Sequence, residues 1–151
     1  MKFWMLGLGS LAISTAAHAE PIGRWWSGFG QGTVEYGIKN DSAGSDEFYI
    51  ACKPSGATIN ITVGGVDAPK NSHVIVTIAA DEYELATDEW GDFRTNSTLG
   101  DAIFGALWTS IRKGSVMRVR LPSGESTPFT LAGAAKILPR EYCTTEIAGE
   151  Q

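Results

Sequence analysis

The chain contains only two cysteines, Cys52 and Cys143. A thiol pair without a Cys-x-x-Cys motif predicts a structural disulfide, provided that the protein leaves the reducing cytosol. In the chain-entropy model, closing a loop of about 90 residues removes roughly 4 to 5 kcal/mol of unfolded-state entropy. The alternative, a catalytic cysteine, has no redox motif to support it.

His73 is the only histidine after the N-terminal segment, and it follows Ser72. A Ser–His hydrolase also needs an acid and an oxyanion hole, and the chain has no Gly-x-Ser-x-Gly elbow. A zinc site needs more histidines or spare cysteines than the chain offers. We therefore expect a surface histidine at the start of a strand, with no catalytic residue, no metal site and no cofactor.

Acidic residues are concentrated between positions 81 and 92, where six of twelve side chains are carboxylates. One interpretation is a solvated hairpin whose charges discourage edge-to-edge aggregation. The alternatives are a Ca²⁺ site, although the spacing is not that of an EF-hand loop, and a docking surface for a basic partner. Since an aromatic side chain among charges can anchor an interface, the candidate binding residues here are Asp88, Glu89, Trp90 and Asp92.

A basic group lies further along the chain, at Arg112, Lys113, Arg118 and Arg120. Arg118 and Arg120 have the spacing that puts two side chains on the same face of one strand. The group is either the solvent face of an antiparallel sheet or a binding site for an acidic peptide or glycan polymer.

Three aromatic residues occur within five positions of a glycine-containing segment: Trp25, Trp26 and Phe29. They either tuck under the fold as a lid or form an exposed apolar patch for a partner or a sugar ring. We keep all three as candidate binding residues.

Period-two alternation predicts the strands that position these groups. The segments recur every 10 to 13 residues or so, a rhythm typical of β-sandwiches. Residues 20–32 are expected to be an irregular lead-in, and 73–79 a strand covered on both faces. The predicted strands cover residues 34–38, 48–52, 59–63, 73–79, 83–87, 115–121 and 129–131.

The period changes to that of a helix at Leu99, and either Ser97 or Thr98 can cap its start. Gly114 is suited to end it. The apolar stripe of this helix is Leu99, Ile103, Phe104, Leu107, Trp108 and Ile111. We predict one antiparallel β-sandwich domain over residues 20–151, with an amphipathic helix at about 98–112 and one disulfide.

Residues 1–19 have the layout of a secretory signal peptide. A lysine near the start is followed by the apolar run Phe3–Ile13 and an Ala-x-Ala end before Glu20. This predicts export, with the bacterial periplasm favoured and an extracellular location as the alternative. No other apolar run is long enough to span a bilayer, and the net charge of -5 argues against nucleic acid as a partner.

The order of features in the C-terminal half resembles that of two families. The predicted helix, Gly114, the strand Val116–Leu121, the segment Phe129–Ala134 and a late Cys143 follow one another. This resembles the end of small exported β-sandwich proteins of the invasion-associated locus B type, and of the TagO accessory proteins of type VI secretion systems. The resemblance implies a β-sandwich and an accessory role in an envelope or secretion system; it brings no catalytic residues.

These observations favour a non-enzymatic periplasmic protein that acts by binding a protein partner in the cell envelope. One alternative is an inhibitor or immunity protein whose acidic loop blocks the basic cleft of a toxin or lytic enzyme. A second alternative is a small envelope hydrolase that uses Ser72 and His73 or the carboxylate cluster. The sequence leaves the partner and the oligomeric state open.

Overall fold

The structure is a computed structural model that describes residues 19–143. The predicted signal peptide lies outside the described residues except for its last residue, Ala19. No helix in the described part of the chain is long and apolar enough to cross a membrane.

Within residues 19–143, ten strands form two antiparallel sheets. The large sheet has six strands in the order β1-β2-β3-β4-β5, with β8 also paired to β4. Its strands are β1 (Trp26–Gly30), β2 (Thr33–Lys39), β3 (Glu47–Lys53), β4 (Gly56–Val63), β5 (Val66–Asp67) and β8 (Phe93–Arg94). The small sheet has the order β10-β9-β6-β7. Its strands are β6 (His73–Ile78), β7 (Asp81–Ala86), β9 (Val116–Arg120) and β10 (Ser126–Thr130).

The two sheets share one core, because alternate side chains of each strand point inward. In β4 every second residue from Ala57 to Val63 is buried, and in β9 the buried residues are Met117 and Val119. Side chains from both sheets join one buried cluster. The predicted mainly antiparallel β fold is confirmed.

The helix α1 (Thr98–Lys113) packs its apolar stripe into this core. Ser97 caps its start by accepting a hydrogen bond from the N–H of Gly100 at 3.0 Å. Gly114 ends it with an extended backbone. Glycine is needed there because a Cβ atom would lie 2.6 Å from the side chain of Ile78.

Cys52 and Cys143 form the predicted disulfide, with their Cα atoms 5.7 Å apart. The bond joins the end of β3 to the segment that follows the short helix α2 (Ala134–Ile137). This segment also packs on α1, since the indole N–H of Trp108 donates to the carbonyl of Pro139 at 2.9 Å.

Three local predictions were wrong. The expected irregular lead-in contains the edge strand β1, whose glycines hide the usual alternation of apolar residues. The outer face of β6 is only partly covered, because His73 is exposed and Ile75 and Thr77 are half-buried. Leu99 belongs to the predicted apolar stripe of α1 but is 70% exposed, since it lies in the first turn, beyond the edge of the core.

Candidate functional site

The acidic segment forms a closed loop over residues 87–94, called here the Trp90 loop. Its ends meet in a β-bridge between Thr87 and Phe93. Inside it, one carboxylate oxygen of Asp88 accepts hydrogen bonds from the backbone N–H groups of Trp90 at 2.9 Å and Asp92 at 3.0 Å. An aspartate that accepts hydrogen bonds from the backbone N–H groups just after it holds a turn in one conformation. The loop is therefore preorganised.

The second carboxylate oxygen of Asp88 accepts a hydrogen bond from Nε of Arg94. Burial raises the pKa of Asp88, but the hydrogen bonds from Arg94, Asp92 and Trp90 outweigh this effect, and the net pKa is lowered. The ionised carboxylate therefore has a structural role, and it offers little free charge to a partner.

Trp90 stands at the tip of this loop and is 63% exposed. The guanidinium carbon of Arg94 lies 5.1 Å from the centre of its ring, within the range of a cation–π contact. Gly91 supports the tip: it has a φ of +90°, and a Cβ atom there would lie 2.4 Å from the carbonyl oxygen of Ala68. The loop thus displays a large apolar side chain on a rigid base.

An apolar groove of about 420 Å³ lies beside the loop, between the end of β7 and the first turns of α1; we call it the helix groove. Exposed Leu99 and half-buried Ile103 come from the helix, and Phe93 comes from β8. Glu84, Asp88 and Arg94 add charge around it. Arg94 lines the groove and also lies against the ring of Trp90, so the groove and Trp90 together form the candidate surface for a partner with an apolar side chain.

The four predicted acidic-loop residues have different roles. Asp92 accepts a hydrogen bond from the side-chain amide of Asn60 at 2.9 Å and lies 3.9 Å from Arg94, so it is structural, like Asp88. Glu89 and Trp90 are exposed and available to a partner. Within residues 19–143, no group of three or more His, Cys, Asp or Glu side chains could hold a metal ion.

The residues of the basic group also have different roles, some exposed and one structural. Arg118 and Arg120 are exposed on the outer face of β9, and Arg118 donates to the hydroxyl of Ser126 at 3.3 Å. Arg112 instead donates to the carbonyl of Leu138 at 3.0 Å and anchors the segment after α2. The two exposed arginines lie two strands away from the acidic β7, so the outer face of the small sheet has a basic side and an acidic side.

The aromatic segment is mostly internal. Trp25 is 5% exposed, packs on Phe48, and donates its indole N–H to the carbonyl of Thr130 at 2.9 Å. Trp26 is buried on the outer face of the large sheet, against Gly37 and Tyr49. Only Phe29, at 76% exposure, remains available for binding. The lid alternative therefore describes the two tryptophans, and the patch alternative describes Phe29 alone.

Nδ1 of His73 lies 2.8 Å from a carboxylate oxygen of Glu84, with both side chains more than half exposed. No hydrogen bond joins the hydroxyl of Ser72 to His73 in the part of the chain described. The pair is an exposed polar contact between β6 and β7.

Sequence reasoning missed the contributions of Arg94 and Leu99 to this surface. Arg94 could have been found from its position, because a cation just after an acidic turn can reach back to the carboxylate that organises it. Leu99 could not, since its helical spacing is that of a core residue.

Comparison with known proteins finds a family to which the chain is similar. The YfjT family model matches residues 23–138, which covers both sheets, both helices and the Trp90 loop. No curated protein matches the chain, and no solved structure does.

Proposed function

We propose that this chain, which belongs to the YfjT family, is an exported, non-enzymatic protein that acts by binding a protein partner in the cell envelope. The observation that carries this proposal is Trp90: a tryptophan that is 63% exposed, on a loop closed by its own hydrogen bonds, next to an apolar groove. Tryptophan is among the residues that contribute most to interfaces.

The rigidity of the loop supports this interpretation. A side chain that is already fixed before binding loses little conformational entropy in the complex, which favours affinity. The carboxylate of Asp88 accepts hydrogen bonds from the backbone, and that of Asp92 lies 3.9 Å from Arg94, so these two charges are already paired at the base of Trp90 before a partner binds.

Export is supported by the signal-peptide pattern and by the disulfide. Cys52 and Cys143 are bonded, and such bonds persist in oxidising compartments such as the periplasm. Titration of free thiols in the native protein, without reductant, tests this point: two reactive thiols would contradict it. The resemblance of the C-terminal half to invasion-associated locus B and TagO proteins leads us to propose an accessory role in an envelope or secretion system.

Capture of partners from an envelope extract by the immobilised protein, followed by mass spectrometry, tests the binding proposal. We expect Trp90→Ala and Leu99→Ser each to reduce the captured partner by about tenfold or more, as for central interface residues. Val116→Ser is the matched control, because Val116 is 52% exposed but lies on β9. A partner that is retained equally by all variants would show that binding uses another surface.

A second candidate function is inhibition of a toxin or lytic enzyme with a basic cleft. The exposed carboxylates of Asp81, Glu82 and Glu89 favour it, since like-signed charges on one side of a protein attract a basic partner over a distance. Glu82→Lys and Glu89→Lys should then slow association with the basic partner and make the association rate less dependent on salt concentration. The accessory role predicts little change with these substitutions, because Trp90 and Leu99 remain.

A further inference from the structure

The free edges of the two sheets are not equally protected. On the small sheet, β10 has Pro128 at its centre, which has no N–H to offer a new strand. Its carbonyls are also occupied: Asn40 donates to Pro128 at 3.0 Å, and the indole of Trp25 donates to Thr130 at 2.9 Å. This edge cannot easily accept another strand.

The other small-sheet edge, β7, has exposed acidic side chains at Asp81, Glu82 and Glu84. Charges on an edge strand are a common protection against pairing with another chain. On the large sheet, β5 and β8 are only two residues long, so they offer little backbone to pair with.

The remaining edge, β1, has none of these protections. Its sequence, Trp-Ser-Gly-Phe-Gly, contains no charge and no proline. Among residues 19–143, its backbone is paired only with β2. Phe29 on this strand and Val34 opposite it on β2 are 76% and 36% exposed, and they border a groove of about 530 Å³ that reaches the disulfide. An open edge with exposed apolar side chains is a template for strand addition.

We propose that β1 pairs with β1 of a second copy, antiparallel and about a two-fold axis at Gly28, so that the large sheets of two molecules become continuous. This inference is independent of the Trp90 surface and goes beyond the proposed function.

The residues of β1 favour a second copy as the occupant. Pairing about Gly28 places Trp26 opposite Gly30 of the second copy and Ser27 opposite its Phe29, so each large side chain meets a small one. Aromatic residues that cover glycines across strands stabilise sheet edges, and Trp26 already covers Gly37 of β2 in this way, 2.9 Å from where a Cβ would lie.

Charge also favours self-pairing. The protein has a net charge of -5, so two copies repel each other on average. A strand without charges brings no like charges directly opposite each other, a contact that would be unfavourable. A closed two-fold pair is also the commonest assembly of identical chains.

Sedimentation equilibrium of the purified protein, with its disulfide intact, tests the proposal. We expect a mass twice that measured for one chain. Phe29→Lys and Ser27→Lys should weaken dimerisation by about tenfold or more, because charges would then be buried in the paired edge. Val116→Lys changes a side chain that is 52% exposed and lies away from this edge, so it should leave the dimer intact.

Cysteine substitution tests the register. Gly28→Cys should form an intermolecular disulfide, because directly opposite Cα atoms lie about 4.5 to 5.5 Å apart in an antiparallel pair. Gly30→Cys should not, since the two copies of residue 30 would lie about 13 Å apart along the strand. Both sites tolerate a side chain: a Cβ at Gly28 has no neighbour closer than 3.5 Å, and one at Gly30 has none within 4 Å.

A dimer that is lost in Phe29→Lys, with cross-linking at 28 and not at 30, supports the proposal. A monomer at every concentration overturns it, and so does a dimer that survives Phe29→Lys or cross-links better through position 30. A monomer that still loses its partner on Trp90→Ala would overturn self-pairing and leave the proposed function standing.

Discussion

The two tryptophan-containing regions of this protein have opposite roles. In the N-terminal segment, Trp25 and Trp26 are buried, and the indole N–H of Trp25 is bonded to the carbonyl of Thr130. In the Trp90 loop, the hydrogen bonds to the Asp88 carboxylate come from Trp90, Asp92 and Arg94 of the same loop, and the indole of Trp90 projects into solvent. In the first region the fold uses the tryptophans to cover sheet surfaces, whereas in the second it holds a tryptophan away from the core.

The difference shows that the burial of a tryptophan depends on distant residues. The partner of Trp25 is 105 positions away, on a strand of the other sheet. The bonds that hold Trp90 out come from Asp88, Asp92 and Arg94, all within the same loop. Substitutions in the buried region should therefore reduce the stability of the fold, and substitutions in the exposed region should reduce binding.

The largest expected effect is that of Trp25→Ala. The substitution removes a side chain that is 95% buried, its contact with Phe48 and its hydrogen bond to β10. We expect the free energy of unfolding in urea to fall by about 3 to 5 kcal/mol, as for other buried aromatic residues changed to alanine. Trp25→Phe is a useful companion variant, since it keeps an aromatic ring and loses only the N–H donor; a smaller loss is expected from it.

The next effect should be that of Gly37→Ala, which tests how Trp26 covers the large sheet. The new Cβ would lie 2.9 Å from the indole ring of Trp26, so the ring must move away from the sheet. Overpacking of this kind typically costs about 1 to 3 kcal/mol. Gly30→Ala on the neighbouring strand is the control, because its Cβ has no neighbour within 4 Å; equal losses from both would show that strain at Trp26 is not the cause.

Asp88→Asn should have a smaller effect, confined to the Trp90 loop. The amide keeps one oxygen for the backbone but loses the ionic bond to Arg94, and we expect a loss of about 1 kcal/mol. The pKa of Asp88 is lowered by folding, so its contribution is present above the unfolded pKa of about 4 and is lost as pH falls through the folded value. Urea unfolding of wild type and variant should therefore differ at neutral pH and converge in acid. A constant difference at all pH values would exclude the charge as its origin.

Much of the fold could be predicted from the sequence, because its signals are local. Alternation identified the main strands, the change of period located α1, and two cysteines in a chain with an export signal indicated the disulfide. The strand β1 was not predicted, because two of its five residues are glycines and the segment therefore shows no alternation of apolar and polar side chains. Its edge position is likewise a property of the assembled sheet.

The candidate surface was only partly predictable. Residues 88–92 were identified by their acidity, but two of those carboxylates are used inside the loop. Leu99 was assigned to the core because helical spacing gives the direction of a side chain and cannot show where the core ends. Trp25 and Trp90 each follow a charged residue and have a glycine within two positions, so these neighbours do not show which tryptophan is buried; the contact of Trp25 with the other sheet does.

The smallest expected effect on stability is that of Trp90→Ala, and it is the sharpest test of the contrast. The side chain is 63% exposed, and its main contact is the guanidinium of Arg94, which stays bonded to Asp88 when the ring is gone. We expect the urea midpoint to change by an amount equivalent to no more than about 0.5 kcal/mol, as for most surface substitutions, while capture of the partner falls. A loss of stability near that of Trp25→Ala would mean that Trp90 belongs to the folded core and that reduced capture reports unfolding. Unchanged stability with reduced capture would assign Trp90 to partner recognition, because the substitution would then weaken binding without affecting the fold.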